Sequence, residues 1–178
     1  MMKSYLEIQV PLRYDAKWFQ ELRAVCQHIP VKWQTGYYHI TMAFLDETPE
    51  DVDLRPILDR HLNTLAAPTL CFDKLDAFTA NSGMHIIHLT ATDVPQDFLA
   101  TIERIRTDLK AVGCRIESDF RLHVTLGREK DTGVTVSAIR EQIRTVRLSM
   151  SCFTLTDVDY REFRGKTLYI TRLTNKFA

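Results

Sequence analysis

Two short segments that resemble each other decide the fold: HITMAF at residues 39–44 and HVTLGR at residues 123–128. They begin 84 residues apart. Side chains alternate between the two faces of a β-strand, so the His and Thr of each segment share one face and the two aliphatic residues share the other. The aliphatic face belongs in a hydrophobic core. The polar face ends in a small residue, Ala43 or Gly127, which we interpret as space for a ligand.

The chain around these segments repeats one order of predicted elements. Hydrophobic periodicity predicts helices at 15–28, 49–65, 95–112 and 135–145, and strands at 4–10, 37–45, 69–78, 84–91, 120–128, 147–156 and 167–173. Residues 1–83 and 84–178 therefore both read strand, helix, strand, helix, strand, which predicts an α+β fold with a pseudo-twofold axis. No Gly/Ser-rich linker separates the two repeats, so we expect one two-lobed domain over residues 1–178.

Local signals predict where several of these elements begin and end. Asp15 is expected to cap the first helix, and Thr48–Asp51 has the pattern of a capping box for the second. Pro56 then falls inside the second helix, where we expect a kink or a short first helical piece. The segment 81–83 (NSG) predicts a turn between two strands, and Gly113 is expected to end the third helix.

Composition excludes several classes of protein. The 178 residues are 45% hydrophobic and 26% charged, which is typical of a globular domain and not of a disordered chain or coiled coil. No stretch is long and apolar enough for a membrane span, and the first residues lack the features of a secretory signal. The four cysteines form no CxxC pair, so we expect buried, reduced thiols in a cytoplasmic protein. The formal net charge of zero argues against binding along long duplex nucleic acid.

The two polar strand faces predict a chemistry if the pseudo-twofold axis brings them together. One neutral imidazole can take a proton from a nucleophile while a protonated one gives a proton to a leaving oxygen. Two Thr hydroxyls can hold the non-bridging oxygens of a phosphate. The sequence shows no zinc-ligand spacing and no signature of a Ser or Cys nucleophile, so we predict that the site needs no metal and no cofactor.

The residues quoted above resemble the paired His-x-Thr-x motifs of the two-histidine (2H) phosphoesterase superfamily. Within it, the chain is most similar to the RNA 2′,3′-cyclic phosphodiesterases, also called 2′-5′ RNA ligases. The resemblance implies a bilobal, duplicated fold of two largely antiparallel sheets, with helices outside and a central cleft. It also implies catalysis by His39 and His123, phosphate binding by Thr41 and Thr125, hydrolysis of a 2′,3′-cyclic phosphate to a 2′-phosphate, and possible ligation in reverse. Asp46 and Leu122 depart from the common pattern, and this bears on the natural substrate more than on the chemistry.

Flanking residues extend the predicted site. Arg121 lies two residues before His123 and is expected to share its face and pair with a phosphate. Simple alternation puts Arg128 on the core side, so we expect the strand to end or twist near it. Two further substrate contacts, Tyr37 and Phe120, are candidates for stacking on a base. Tyr169 lies in a G-K-T-L-Y segment and is a candidate for closing the cleft by resemblance alone.

Three of the six histidines are followed by Thr two residues later, so the pattern alone is weak. The third, His88, has no partner at the repeat offset, and we interpret it as a strand histidine satisfied by a hydrogen bond. The predicted partner is an RNA terminus or a small cyclic nucleotide, bound by a monomer that has no membrane association. Two alternatives stay open: a 2H hydrolase of 2′,5′-oligoadenylate or ADP-ribose cyclic phosphate, and a non-catalytic module that binds nucleotides or RNA ends.

Overall fold

The structure is a computed structural model that describes residues 2–130, 133–164 and 168–178; the side chains of residues 2 and 164–175 lie outside the description. Its helices are α1 (Lys17–Val25), α2 (Arg55–Leu62), α3 (Gln96–Ala111) and α4 (Val136–Ile143). Its strands are β1 (Met2–Gln9), β2 (Val31–Trp33), β3 (His39–Thr48), β4 (Thr69–Phe72), β5 (Lys74–Thr79), β6 (His85–Thr90), β7 (Val124–Glu129), β8 (Ser151–Thr154), β9 (Asp157–Arg164) and β10 (Leu168–Lys176).

The strands form one large antiparallel sheet and one small one. The large sheet has the order β10-β9-β1-β3-β7-β6-β5, and β2 pairs with β7 beside this path. The small sheet is the pair β4-β8. At the centre of the large sheet, β3 and β7 pair at a single position, Ile40 opposite Val124. The α+β class with mainly antiparallel strands is thus confirmed. The two lobes, however, share one large sheet, which is joined at its centre by a single residue pair.

The strand order is nearly the same when read from either edge. Around the β3–β7 junction, β1 and β9 on one side occupy the places of β6 and β5 on the other. The small sheet joins β4 and β8, which follow corresponding helices in the two halves of the chain. This order is what a twofold arrangement of two similar halves produces, while an origin by duplication stays a prediction.

The predicted aliphatic faces lie in the core. Ile40, Met42, Val124 and Leu126 are all buried, and they belong to one continuous hydrophobic cluster with the inner faces of the helices. The helix predicted at 95–112 is α3, whose buried stripe includes its Phe and Ile residues. Burial of these faces fixes which side of β3 and β7 is left for the polar residues.

Two predicted helix starts are wrong. Asp15 pairs with Arg13 at 2.8 Å and does not cap α1, whose N-cap is Ala16. Thr48 is the last residue of β3, so residues 48–51 form no capping box, and α2 begins only at Arg55. Pro56 therefore lies in the first turn of α2, where its missing N–H has no partner to lose and no kink is needed.

Other boundaries differ because neighbouring strands join different partners. The strand predicted at 69–78 is divided at Asp73, since β4 pairs with β8 and β5 pairs with β6. The sequence pattern predicts no strand over Asp157–Arg164, where the structure has β9. The turn at 81–83 and the helix stop at Gly113 are confirmed, and Gly83 and Gly113 both have positive φ angles, of 83° and 95°.

The cysteine prediction is wrong for one pair. Cys71 on β4 and Cys152 on β8 are directly opposed across the small sheet and form a disulfide. Cys26 and Cys114 are free and buried, as expected. The prediction of a cytoplasmic location relied partly on reduced thiols, and the disulfide removes that part of its support.

Within the described ranges, no helix has both the length and the apolar character that crossing a membrane requires.

Candidate functional site

The single pairing of Ile40 with Val124 positions the two polar motifs. Both side chains are fully buried, so the residues on either side of them point to the opposite face of the sheet. When the antiparallel register is continued by one residue each way, His39 lies across from Thr125 and Thr41 lies across from His123. Two imidazoles and two hydroxyls therefore share one small area where the two lobes meet.

Two adjoining cavities open on this area. The arginine cavity, named for Arg128 and Arg161, has a volume of about 640 Å³ and includes His39, His123 and both motif threonines in its wall. The aromatic cavity has a volume of about 560 Å³ and contains the side chains of Phe44, Phe78 and Phe120. Both cavities border on Thr41, Phe78, Ala80 and His123.

A buried carboxylate lies beside His39. The Nε2 atom of His39 is 3.3 Å from Oε1 of Glu7 on β1, and Arg161 on β9 is 3.5 Å from the other carboxylate oxygen. Burial lowers the pKa of His39 to about 4, and the charges of Arg128 and Arg161 contribute to this decrease. An ionised Glu7 carboxylate favours the imidazolium form of His39, but burial raises the pKa of Glu7 itself, with the Arg161 charge opposing.

His123 is oriented by the backbone. Its Nδ1 lies 2.9 Å from the carbonyl oxygen of Arg121, so Nδ1 carries the proton and donates it, and Nε2 keeps its lone pair. Burial lowers the pKa of His123, partly opposed by this hydrogen bond. The ring also contacts Phe78 and His88 edge to face, with centroid separations of 5.3 and 5.7 Å. The two motif histidines thus have different surroundings.

A comparison with protein-family models gives a match to the 2′-5′ RNA ligase superfamily over residues 11–167. The chain belongs to this superfamily. The resemblance stated from the sequence is thereby confirmed. A comparison with curated protein sequences gave no match.

Several solved structures share the fold of this chain. Escherichia coli LigT complexed with 3′-AMP is 18% identical, with a TM-score of 0.64 over 99% of this chain and 98% of that one. TT0787 of Thermus thermophilus is 18% identical, with a TM-score of 0.68 over 99% and 98% of the two chains. Usb1 of Kluyveromyces marxianus is 12% identical, with a TM-score of 0.63 over 95% and 96%. At these identities the similarity shows the fold alone.

Most of the flanking residues that the sequence analysis assigned to the site border the two cavities. Tyr37 stacks on His39 with ring centroids 5.1 Å apart, and Arg161 lies over the Tyr37 ring at 4.4 Å. Arg121 stacks on Phe78 at 4.2 Å, and Phe120 lines the aromatic cavity. Tyr169 belongs to β10, but its side chain lies outside the described part of the structure.

The interpretation of Gly127 as space for a ligand is wrong. Gly127 is buried and pairs with Trp33 of β2, and a Cβ atom placed on it would lie 2.6 Å from Val31 and 2.8 Å from the Trp33 ring. The absence of a side chain therefore accommodates β2.

Ala43 borders the aromatic cavity but is itself buried in the core. A register shift between Leu6 and Glu7 of β1 leaves Met42 as an extra residue in β3. This shift turns the Phe44 side chain to the cavity.

A β-bulge explains why Arg128 reaches the cleft. On β6, Ile87 pairs with Gly127 whereas the next residue, His88, pairs with Thr125. Leu126 is thus an extra residue in β7, and the alternation of faces reverses after it. The strand does not end at Arg128; instead the bulge turns this side chain from the core into the arginine cavity.

Four residues that sequence reasoning did not assign to the site surround the motif histidines. These are Glu7, Phe78, His88 and Arg161. His88 is buried, burial lowers its pKa to about 4, and its Nδ1 has no hydrogen-bond partner among the described residues. Glu7 and His88 are polar residues within strands whose neighbouring residues are apolar, and this pattern could have marked them as candidates for the site. Their position next to a motif histidine follows from strand order, which the sequence pattern does not contain.

Across the part of the chain that the structure describes, no group of three or more His, Cys, Asp or Glu side chains is placed to hold a metal ion. Metal independence remains a prediction for chelation experiments.

Proposed function

We propose that the protein is a metal-independent phosphodiesterase that hydrolyses a 2′,3′-cyclic phosphate at an RNA end or on a nucleotide to a 2′-phosphate. One observation carries the proposal: the register at Ile40 and Val124 places two histidines and two threonines around one cleft. In-line displacement at phosphorus needs a base on one side and an acid on the other. Membership of the superfamily supports a phosphoesterase role.

The different neighbours of the two histidines support an assignment of roles. His39 acts as the general base, because burial lowers its pKa to about 4 and keeps its ring neutral. His123 acts as the general acid, because the hydrogen bond from its Nδ1 to the Arg121 carbonyl opposes the decrease in its pKa and favours its protonated form. The water oxygen bonds to phosphorus, its proton passes to His39, the P–O3′ bond breaks, and O3′ takes the proton from His123.

The phosphate is held by neutral and cationic donors around this pair. The Thr41 and Thr125 hydroxyls donate to the non-bridging oxygens, whose negative charge increases in the transition state. Arg128 lies in the same cavity and stabilises that charge. Arg121 is directed at Phe78 and contributes to phosphate binding from the rim.

The experiment is turnover of a short RNA that ends in a 2′,3′-cyclic phosphate, with EDTA present and the product isomer identified. We expect hydrolysis to the 2′-phosphate at an unchanged rate with EDTA. Loss of activity with EDTA would contradict metal independence. Tight binding of the RNA end without hydrolysis by the folded protein would instead favour a binding module, and turnover of 2′,5′-oligoadenylate or ADP-ribose cyclic phosphate alone would favour another 2H hydrolase.

A further inference from the structure

A buried arginine borders the aromatic cavity and has no part in the chemistry proposed above. Arg106 of α3 is 4% exposed, and its guanidinium donates to the carbonyl oxygens of Met42, at 2.9 Å, and Ser118. We propose that Arg106 is a positioning residue that holds the connecting segment, residues 116–123, against β3 and thereby places His123 for proton transfer. This inference rests on the proposed function and adds a residue that acts on the reaction through the backbone.

The connecting segment depends on side chains for its path. It contains no helix or strand, and it leads directly into β7. Arg106 holds it by the Ser118 carbonyl. Thr90 of β6 holds it by the Leu122 carbonyl, with the hydroxyl 2.7 Å from that oxygen. One attachment therefore comes from a helix and the other from a neighbouring strand, and together they place the residues between these two points.

The Arg121 carbonyl lies between the two attachment points. It accepts the hydrogen bond from Nδ1 of His123, at 2.9 Å, and so orients that ring. A shift of the connecting segment therefore moves the group that orients His123. Misplacement of a reacting group by about 1 Å is enough to slow an enzymatic reaction about 10²-fold. Arg106 thus influences the reaction without contacting the substrate.

The equivalent position in the other motif shows what the Arg106 side chain adds. Met42 and Leu126 are each the fourth residue of a motif and the extra residue of a β-bulge. The Leu126 carbonyl oxygen accepts a hydrogen bond from the backbone N–H of Gln34, just after β2, at 2.8 Å. The Met42 carbonyl oxygen accepts one from Arg106 instead. A backbone N–H is a single donor, whereas a guanidinium has five N–H donors and can hold the connecting segment at the same time.

The Arg106 guanidinium is fully engaged within the protein. Its third nitrogen, Nε, lies 3.6 Å from the carboxylate of Glu103, one turn earlier on α3. Each of the three nitrogens therefore has a protein partner, as burial of a cation requires. Because its donors are directed at the backbone and at Glu103, Arg106 differs from Arg128, which lines the arginine cavity beside the motif residues.

The test compares Arg106→Gln with Arg104→Gln by steady-state hydrolysis of the cyclic-phosphate RNA. Arg104 is exposed on the same helix and donates to Thr101 at 3.0 Å, so its variant removes an equal charge without changing the contacts of the connecting segment. We expect kcat to fall about 10²-fold in Arg106→Gln with little change in KM, because the substrate contacts are kept and the proton donor is misplaced. Arg104→Gln should keep the wild-type kcat.

The pH profile distinguishes positioning from a direct effect of charge. Burial lowers the pKa of His123, the hydrogen bond to the Arg121 carbonyl opposes this decrease, and the charges of Arg121 and Arg128 add to it. His88, which also contacts the ring, is unchanged in each variant. In Arg106→Gln the carbonyl is displaced, so the alkaline limb, which reports the proton on His123, should move to lower pH. Loss of a neighbouring cation alone would move that limb to higher pH.

A second variant keeps the charge and changes only the geometry. Arg106→Lys retains a cation but lacks the planar fork, so it should also lower kcat and move the alkaline limb to lower pH. It carries the test if Arg106→Gln does not fold, as judged by circular dichroism. If neither variant folds, Thr90→Val, which removes the other attachment of the connecting segment, should move the same limb, and an unmoved limb would contradict the inference.

The outcomes separate this inference from the proposed function. Wild-type kcat in a folded Arg106 variant would overturn the inference while the proposed function stands. A lower kcat with the alkaline limb unmoved, or moved to higher pH, would do the same. No hydrolysis of the cyclic-phosphate RNA by folded wild-type protein would overturn the proposed function and this inference together.

Discussion

His39 and His123 begin near-identical segments, but the side chains that contact them differ. Glu7 lies 3.3 Å from His39, whereas the corresponding neighbour of His123 is the ring of His88. Glu7 and His88 also follow equivalent register shifts, on β1 and β6 respectively. Burial and the two charges of the arginine cavity nevertheless favour the neutral ring of His39, whereas the hydrogen bond to the Arg121 carbonyl favours the protonated ring of His123. At the residue scale, this difference supports distinct acid and base roles for the two histidines.

The first prediction concerns the pH dependence of kcat/KM. The free enzyme needs one motif histidine neutral and one protonated, so the profile is bell-shaped with its maximum midway between the two pKa values. Burial lowers both of these pKa values from 6.5. The maximum should therefore lie below pH 6.5, and steady-state rates from pH 4 to 8 measure it. A flat profile between pH 5 and 8 would count against paired-histidine catalysis.

The second prediction isolates Glu7. In Glu7→Gln the negative charge beside His39 is lost, so the imidazolium is less stable and the pKa of His39 falls further. One limb of the kcat/KM profile should move to lower pH while the other limb stays in place. A profile that only decreases in height, with both limbs unmoved, would show that Glu7 has no electrostatic effect on His39.

At the scale of elements, the cleft depends on how β2 meets β7. Beyond the Ile40–Val124 pair, β3 and β7 separate, and β2 takes the place beside β7 with Trp33 opposite Gly127. Without β2, the edge of β7 would be unpaired at this point. The close approach of the Trp33 ring to Gly127 therefore belongs to the packing by which β2 covers this edge of β7.

The third prediction tests this packing. Gly127→Ala adds a Cβ within 2.6 Å of Val31 and 2.8 Å of Trp33, and we expect a loss of about 1–3 kcal/mol in the free energy of unfolding. Gly36→Ala is the matched control, because nothing lies within 4 Å of the added atom. Urea unfolding of both variants measures the difference. Equal stability of the two variants would contradict the packing of β2 described above.

The strand alternation in the sequence was sufficient to predict the faces of residues 39–42 and 123–126. It failed beyond Leu126, because a bulge arises from pairing with β6 and leaves no mark in the period of β7 itself. The cap at Asp15 failed for a similar reason, since Arg13 competes for its carboxylate. Local patterns predict an element when no neighbour offers its residues a better partner.

At the scale of the whole molecule, residues 1–83 and 84–178 are joined by several strand pairs. The large sheet connects them through Ile40–Val124 and through the pairs β2–β7, β1–β9 and β5–β6, and the small sheet adds β4–β8 with its disulfide. The repeat offset of 84 residues predicted two related lobes. It did not predict the disulfide, because Cys71 and Cys152 are separated by 81 residues and only the pairing of β4 with β8 brings them together.

The fourth prediction concerns this disulfide. A closed loop of this length is expected to stabilise the fold by about 4 kcal/mol through loss of entropy in the unfolded chain. Cys71→Ser should lower the Tm measured without reductant by about 10 °C, and addition of reductant should lower the wild-type Tm to a similar degree. Cys26 and Cys114 stay free, so thiol titration of the unfolded, unreduced protein should find two thiols per chain. Four thiols would show that the bond does not form.

The most direct test of the central claim, that two histidines act on one phosphate, compares His39→Ala, His123→Ala and the double variant by kcat/KM on the cyclic-phosphate RNA. Groups that act as a unit are strongly non-additive, so each single variant should lose about 10²–10⁴-fold and the double variant little more. His28→Ala is the control, because His28 is exposed. His88 is unsuitable as a control, because its ring contacts His123. Wild-type activity in either single variant, or losses that multiply in the double variant, would contradict catalysis by the pair.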